Sequence, residues 1–340
     1  MKRHFVGQKS IVAVAVYLSL LSASGLAAVK KSVVKPSVAD SEMAVLWQKP
    51  TDIRTRDLFY GPGGKKHQPP ATFTFVKEDL DGTNPKLVVR DSSGVKWKLK
   101  LGAEARPETV ASRLIWAVGY SANEDYFLSD VQVRNLPARL HRGQKLVGPG
   151  GSLRNVRLKR YLKDEEKLGT WRWMDGDFAG SRELNGLRVM MALINNWDLK
   201  DENNAVYQDD DRKVYMVSDL GASFGTAGLT WPHERAKGNL HSYAHSQFIT
   251  KVTPQYVDFR EPAAPSSFYV LNPREFFSRV HLRWIGKRVP LRDVKWMDAW
   301  LAQLSPLQIR DAFRAGGYSP AEVEGFARIM ERRIGQLSAL

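Results

Sequence analysis

Residues 185–225 read NGLRVMMALINNWDLKDENNAVYQDDDRKVYMVSDLGASFG, and the rest of the chain is best read outward from them. Leu187, Val189, Met190, Met191, Leu193 and Ile194 predict an apolar helix over Leu184–Trp197. The polar run Asp198–Asn203 predicts a loop. Asn204–Tyr207 and Lys213–Ser218 read as two short strands joined at an acidic tip, Asp209-Asp210-Asp211. Sixteen residues after Asn203 stands Asp219-Leu220-Gly221.

These residue types in this order suit phosphoryl transfer. That reaction asks a protein for a carboxylate near the attacking hydroxyl, hard oxygen ligands for a divalent cation, and cations on the phosphates. Asp198 is placed to accept or orient the nucleophile's proton. Lys200 can neutralise charge on the transferring group. Asn203 and Asp219 offer oxygen to Mg²⁺ or Mn²⁺, and the strand pair between them would fold Asp219 back against the loop.

Upstream, the text is β-like from Ala71 to Leu101: Thr72–Val76, Leu87–Val89 and Val95–Leu101, with turns at Asp81–Pro85 and Ser92–Gly94. The last strand alternates strictly, with Val95, Trp97, Leu99 and Leu101 on one face and Lys96, Lys98 and Lys100 on the other. A helix then starts near Pro107-Glu108 and runs through Val110, Leu114, Ile115 and Val118 to Gly119. Tyr126–Val133 and Val156–Tyr161 read as further strands, and residues 163–180 as a connector between lobes. Gly61-Pro62-Gly63-Gly64-Lys65-Lys66 could touch phosphate through backbone N–H groups that glycine leaves accessible; glycine and proline together more often make an ordinary surface turn.

Asn196–Asn203 resembles the protein-kinase catalytic loop H-R-D-L-x-x-x-N, and Asp219-Leu220-Gly221 resembles the D-F-G turn. The order of elements is similar too: meander, lysine strand, helix with an early glutamate, strands, linker, apolar helix, loop, strand pair, D-x-G. The resemblance covers roughly residues 70–225. It implies an α+β, two-lobed kinase-like fold with an antiparallel sheet and one helix in the first lobe and a mainly helical second lobe. It also implies ATP as co-substrate, and Lys98 or Lys100 on its α/β-phosphates, paired with Glu108. Glu104, which lies before the helix start, is the second choice of partner. The chain departs from that family at Asn196, Trp197 and Leu220. It lacks an A-P-E motif, and Asp79–Asn84 stands where a glycine-rich loop would. It is similar rather to the divergent, atypical members: lipid, aminoglycoside, toxin and secretory-pathway kinases.

Composition bounds the alternatives. The chain has 340 residues, 43% hydrophobic residues and ten tryptophans, enough for a substantial core. Without cysteine it has no disulfide, thiolate metal site or cysteine nucleophile. Its formal charge of +15 favours anionic partners, nucleotide phosphates and acidic polymers among them. No nucleic-acid-binding signature accompanies that charge, so none is expected as a partner. Lys2, Arg3 and Lys9 precede the apolar run Ile11–Ala28, the pattern of a cleaved export signal over 1–28. The mature chain would then be periplasmic or secreted, with no transmembrane segment. Residues 29–65 read as a linker or N-terminal extension, 66–165 as the first lobe and 166–340 as the second. Residues 226–265 lack a regular pattern, and His233, His241 and His245 read there as loop residues. Trp171, Trp173 and Trp231 read as packing groups. Helices follow Pro273, with caps at Ser305 and Ser319. A hydroxyl-bearing acceptor (protein, lipid headgroup or sugar) is implied but not identified. The competing readings are nucleotidyl transfer at the same metal site, a non-catalytic member of the fold, and an unrelated non-catalytic basic envelope protein that binds an acidic polymer or a protein partner.

Overall fold

Period-two patterning builds the first half of the molecule and period 3.6 most of the second, which makes the fold α+β. A computed structural model describes residues 44–82, 84–161, 166–174, 176, 178–226, 237–260, 277 and 280–340. The predicted leader, Trp231 and His233 lie outside them. The strands are β1 (Ala44–Val45), β2 (Thr72–Asp79), β3 (Lys86–Arg90), β4 (Lys96–Lys100), β5 (Asp125–Arg134), β6 (Ser152–Arg160), β7 (Glu166–Gly169), β8 (Asn204–Asp209), β9 (Arg212–Val217), β10 (Ile249–Val252), β11 (Tyr256–Phe259) and β12 (Val289–Pro290). The helices are α1 (Ala105–Ala117), α2 (Arg182–Leu193), α3 (Leu240–His245), α4 (Leu291–Leu301), α5 (Pro306–Ala315) and α6 (Pro320–Ser338).

Strands β2-β3-β4-β6-β5 form a closed barrel. Its neighbours are antiparallel except at one seam, where Thr72–Thr74 of β2 runs parallel to Gln132–Arg134 of β5. The antiparallel first-lobe sheet expected from the sequence is present, and that one parallel seam closes it into a barrel. Phe73, Leu87, Val89, Trp97, Leu99, Val156 and Leu158 fill the inside. Each fully buried apolar side chain of this kind contributes about 1.5–3 kcal/mol. Because side chains alternate, the residues between them stand outside. The register sets Lys86 opposite Lys100, Lys98 opposite Lys159 and Lys100 opposite Arg157. A cationic face thus follows from an apolar interior.

Helix α1 packs on this outer face against β6, and on α5 from the far end of the chain. Its Val110, Ala111, Leu114 and Ile115 belong to a second, larger core shared with α2 and α4–α6. Leu46, Ile53 and Leu58 are buried in the same core, and β1 pairs in parallel with β9, so from Ala44 onward the stretch read as a linker is packed structure. Ser305 and Ser319 close capping boxes with Gln308 and Glu322, as their sequence context requires.

Three expectations are corrected. The apolar helix ends at Leu193 and not at Trp197: Asn195 takes a left-handed φ of 52°, which ends the helix and redirects the chain into the loop. The connector over 163–180 contains β7 and the buried Trp171 and Trp173, packed ring to ring at 5.0 Å. Within 226–265 the described residues include α3, β10 and β11, and His241 and His245 sit on that helix. Among the described residues no helix is long and apolar enough to cross a membrane.

Candidate functional site

The site begins at the end of β4. Lys100 is its last residue, and the turn after it brings α1 back over the barrel face. Glu104 is the N-cap residue of α1 and Glu108 lies in its first turn. The Lys100 ammonium, 3% exposed, stands 2.5 Å from Glu104 Oε2, 2.8 Å from Glu108 Oε2 and 3.0 Å from Asp219 Oδ1. The last contact joins residues 119 positions apart. Burial alone would push the Lys100 ammonium down, but Glu108, Asp219 and Glu104 outweigh it and raise its pKa. Against its own burial, Lys100 holds the Asp219 carboxyl well below the usual carboxylate range.

Behind this cluster lies Arg157 of β6, buried, with one arm on Glu108 Oε1 and another 3.4 Å from Asp125 Oδ1. Glu108 therefore sits between two cations. Arg157 escaped the sequence reading because β6 carries four basic residues, Arg154, Arg157, Lys159 and Arg160, and only the cross-strand register marks which one faces α1.

A second group gathers on the loop after α2. Trp197 N–H donates to Ala222 O at 3.2 Å and Phe224 N–H to Ile194 O at 2.7 Å, which fasten the start of the loop to the stretch after Asp219. The Asn196 side chain accepts from Asp198 N–H at 3.1 Å. Asn203 Nδ2 donates to Asp198 O at 2.7 Å, so Oδ1 is the atom it offers a cation. The Asn203 carbonyl accepts from Ser218 N–H at 2.8 Å and from Asp219 N–H at 3.2 Å. Loop and turn are one hydrogen-bonded unit, and the β8–β9 hairpin is what returns Asp219 to it. Gly221 completes the turn: a Cβ there would lie 2.7 Å from the side chain of Glu104, so any larger residue would push α1's cap off Lys100. Lys200 Nζ lies 3.6 Å from Asp198 Oδ1. Both line a cleft of about 540 Å³ whose other walls include Met191, Leu199, Leu282 and Arg283.

Of the residues singled out from sequence, Lys100, Glu108 and Asp219 meet directly, and Asp198, Lys200 and Asn203 share the loop that carries Asp219. Lys98 does not join them; its ammonium is 2.8 Å from Asp79 Oδ2. Glu104, the second choice of partner, contacts Lys100 together with Glu108. The Gly61–Lys66 turn docks on the barrel flank, where Gly64 O accepts from Tyr126 Oη at 2.8 Å, and no described contact joins it to Lys100.

Glu104, Glu108 and Asp219 bring carboxylate oxygens within 4.8 Å of one another. The Lys100 ammonium is bonded to all three, so this trio is balanced by a side chain and differs from the Asn203–Asp219 pair expected to hold metal. That pair still fits Mg²⁺ by chemistry: a low-pKa carboxylate and an amide oxygen are hard ligands on adjoining, mutually hydrogen-bonded segments.

No family model and no curated protein matches the chain. Among solved structures it is similar to the Helicobacter pylori proinflammatory kinase CtkA, with a TM-score of 0.44 and 11% identity over 78% of this chain and 94% of that one. It is also similar to the golgi casein kinase, with a TM-score of 0.31 and 12% identity over 78% of this chain and 73% of that one. Both are likenesses in the course of the chain, at identities that transfer no residue's role.

Proposed function

We propose that this chain is an exported, atypical kinase-like phosphotransferase that moves a phosphoryl group from Mg-ATP to a hydroxyl acceptor. One observation carries the reading: Lys100 on the barrel meets both Glu108 of α1 and Asp219 of the turn, 2.8 and 3.0 Å away, while Asn203 binds the backbone of that turn. A cation, its buried counter-charge and a carboxylate carried on a turn whose backbone is hydrogen-bonded to an amide-bearing loop are the parts this transfer needs.

Bound Mg²⁺ would offset negative charge on the donor's phosphates, held by Asp219 and Asn203. Lys100, fixed by Glu108, would grip the inner phosphates. Asp198 would take the proton as the acceptor oxygen attacks the terminal phosphorus, and the bond from that phosphorus to the ADP oxygen would break. Lys200 beside Asp198 would neutralise charge on the group in flight. The cleft lined by Asp198 and Lys200 is where the acceptor would approach. The leader-like segment at 1–28 supports a periplasmic or secreted location.

Steady-state ADP formation from MgATP, with and without a panel of hydroxyl acceptors, together with transfer of the terminal phosphoryl group to the acceptor, tests the assignment. Asp198→Asn should cut turnover at least 10²-fold while MgATP affinity stays within about twofold. Unchanged turnover in that variant would remove Asp198 from the mechanism. A wild-type protein that binds no nucleotide would favour the non-catalytic, polymer-binding reading.

A further inference from the structure

The outer face of the barrel carries more positive charge than the Lys100 contact uses. Lys86 lies at the start of β3, directly across from Lys100, and it is also the cross-strand partner of Asp79 at the base of the β2–β3 turn. Its ammonium is 3.6 Å from where a Cβ on Gly82 would sit, so it lies beneath that turn. Asp79 is its cross-strand counter-charge, but that carboxylate is already engaged with Lys98 at 2.8 Å. Two like charges set opposite one another across a strand pair repel. Here the pair Lys86–Lys100 is followed by Arg157 in the same row. Burial, Lys98 and Lys100 hold the Lys86 ammonium below its usual value in spite of Asp79 and Asp219. Glu104, Glu108 and Asp219 balance Lys100, and Glu108 and Asp125 balance Arg157; both cations are buried, which leaves Lys86 the member of this row most open to an incoming anion.

The turn above Lys86 holds a single glycine, Gly82, where a loop that covers a phosphate chain with backbone N–H groups would carry several. Its Asn84 side chain instead donates to Glu104 Oε2 at 2.7 Å. We infer that Lys86 forms a second phosphate subsite beside Lys100, gripping the distal end of a linear polyphosphate donor with a side-chain charge. The inference rests on the phosphotransferase reading and adds to it the class of donor: a chain of three or more phosphates, bound mainly through its phosphates. ATP and inorganic tripolyphosphate share that chemistry, and the experiment separates them.

Calorimetric titration of the full folded domain with MgATP, Mg-tripolyphosphate, ADP and AMP, for wild type, Lys86→Gln and Lys86→Arg, tests this. Lys86→Gln should weaken MgATP and tripolyphosphate about tenfold, leave AMP unchanged, and be largely rescued in Lys86→Arg. Unaltered MgATP affinity in Lys86→Gln, or an equal loss for AMP and ATP in a variant that keeps the wild-type melting temperature, would overturn the subsite and leave the phosphotransferase standing. Wild type binding tripolyphosphate as tightly as ATP would keep the subsite and make the donor an inorganic polyphosphate. Wild type binding none of the four would overturn both readings.

Discussion

Lys100 is where strand, helix and turn meet, and its surroundings set what a substitution there does. Three carboxylates face one buried ammonium, so removing it leaves negative charge in a site from which water is largely excluded. Lys100→Met should abolish measurable MgATP binding and cost about 3–5 kcal/mol of stability. The deficit should depend on pH with a definite sign. In wild type the Asp219 pKa is depressed by Lys100, so its contribution is present above the ordinary carboxylate range and fades as pH falls through the depressed value. Without the ammonium, Glu108 and Asp219 are carboxyls crowded together and partly buried, with folded pKa values raised. Stability is then retained at low pH and lost as pH rises through those values. Melting curves should therefore show Lys100→Met falling further below wild type at pH 8 than at pH 5; a gap independent of pH would contradict the three-carboxylate account. The choice between Lys98 and Lys100 was not legible because both alternate onto one face. What separates them is the fold of α1 over the end of β4, a tertiary fact. Glu108 was legible from its place in the first turn of a helix, and Glu104's contact was not, since a cap residue's direction depends on the turn before it.

The catalytic-type loop is held in place by elements distant in sequence. The last carbonyls of α2 have no partner within the helix, and Arg333 of α6 meets one of them: its guanidinium donates to Leu193 O at 3.0 Å and Asn195 Oδ1 at 3.1 Å. It also donates to Tyr243 O at 3.2 Å and Ser246 Oγ at 2.6 Å, and lies 4.0 Å over the Tyr243 ring. A buried cation at a helix C-terminus also complements the helix dipole. Arg333→Leu should cost about 3 kcal/mol and loosen the loop, seen as faster amide exchange at Asn195–Trp197 and a fall in turnover larger than any change in ATP affinity. Turnover and exchange that stay at wild-type values would show that α6 does not position the loop. Nothing local signals such a role in a helix rich in Arg and Glu. The end of α2 was misplaced for a related reason: the apolar period continues through Ile194 and Trp197, and only the left-handed Asn195 breaks it. The hairpin and its Asp210-Asp211 tip were legible because turn chemistry is local.

At the scale of the molecule, the division into a β-rich first half and a helical second half was readable from the change of period near residue 180. Closure of the sheet was not, because a three-residue parallel seam between β2 and β5 leaves no mark on either strand's pattern. Nor was the packing of 44–58, whose buried Leu46, Ile53 and Leu58 are too widely spaced to signal an element. These long-range contacts bring α1, and with it Glu108, against both the barrel and the helical core, so nucleotide binding and global stability should be coupled. The most direct test is thermal unfolding of the chain with ATP across a Mg²⁺ titration, wild type beside Asp219→Ala. The account predicts a rise of several degrees that requires both nucleotide and metal in wild type and is absent in Asp219→Ala. A shift of equal size in the two proteins, or a folded wild type that shifts with neither ATP nor Mg²⁺, would contradict it.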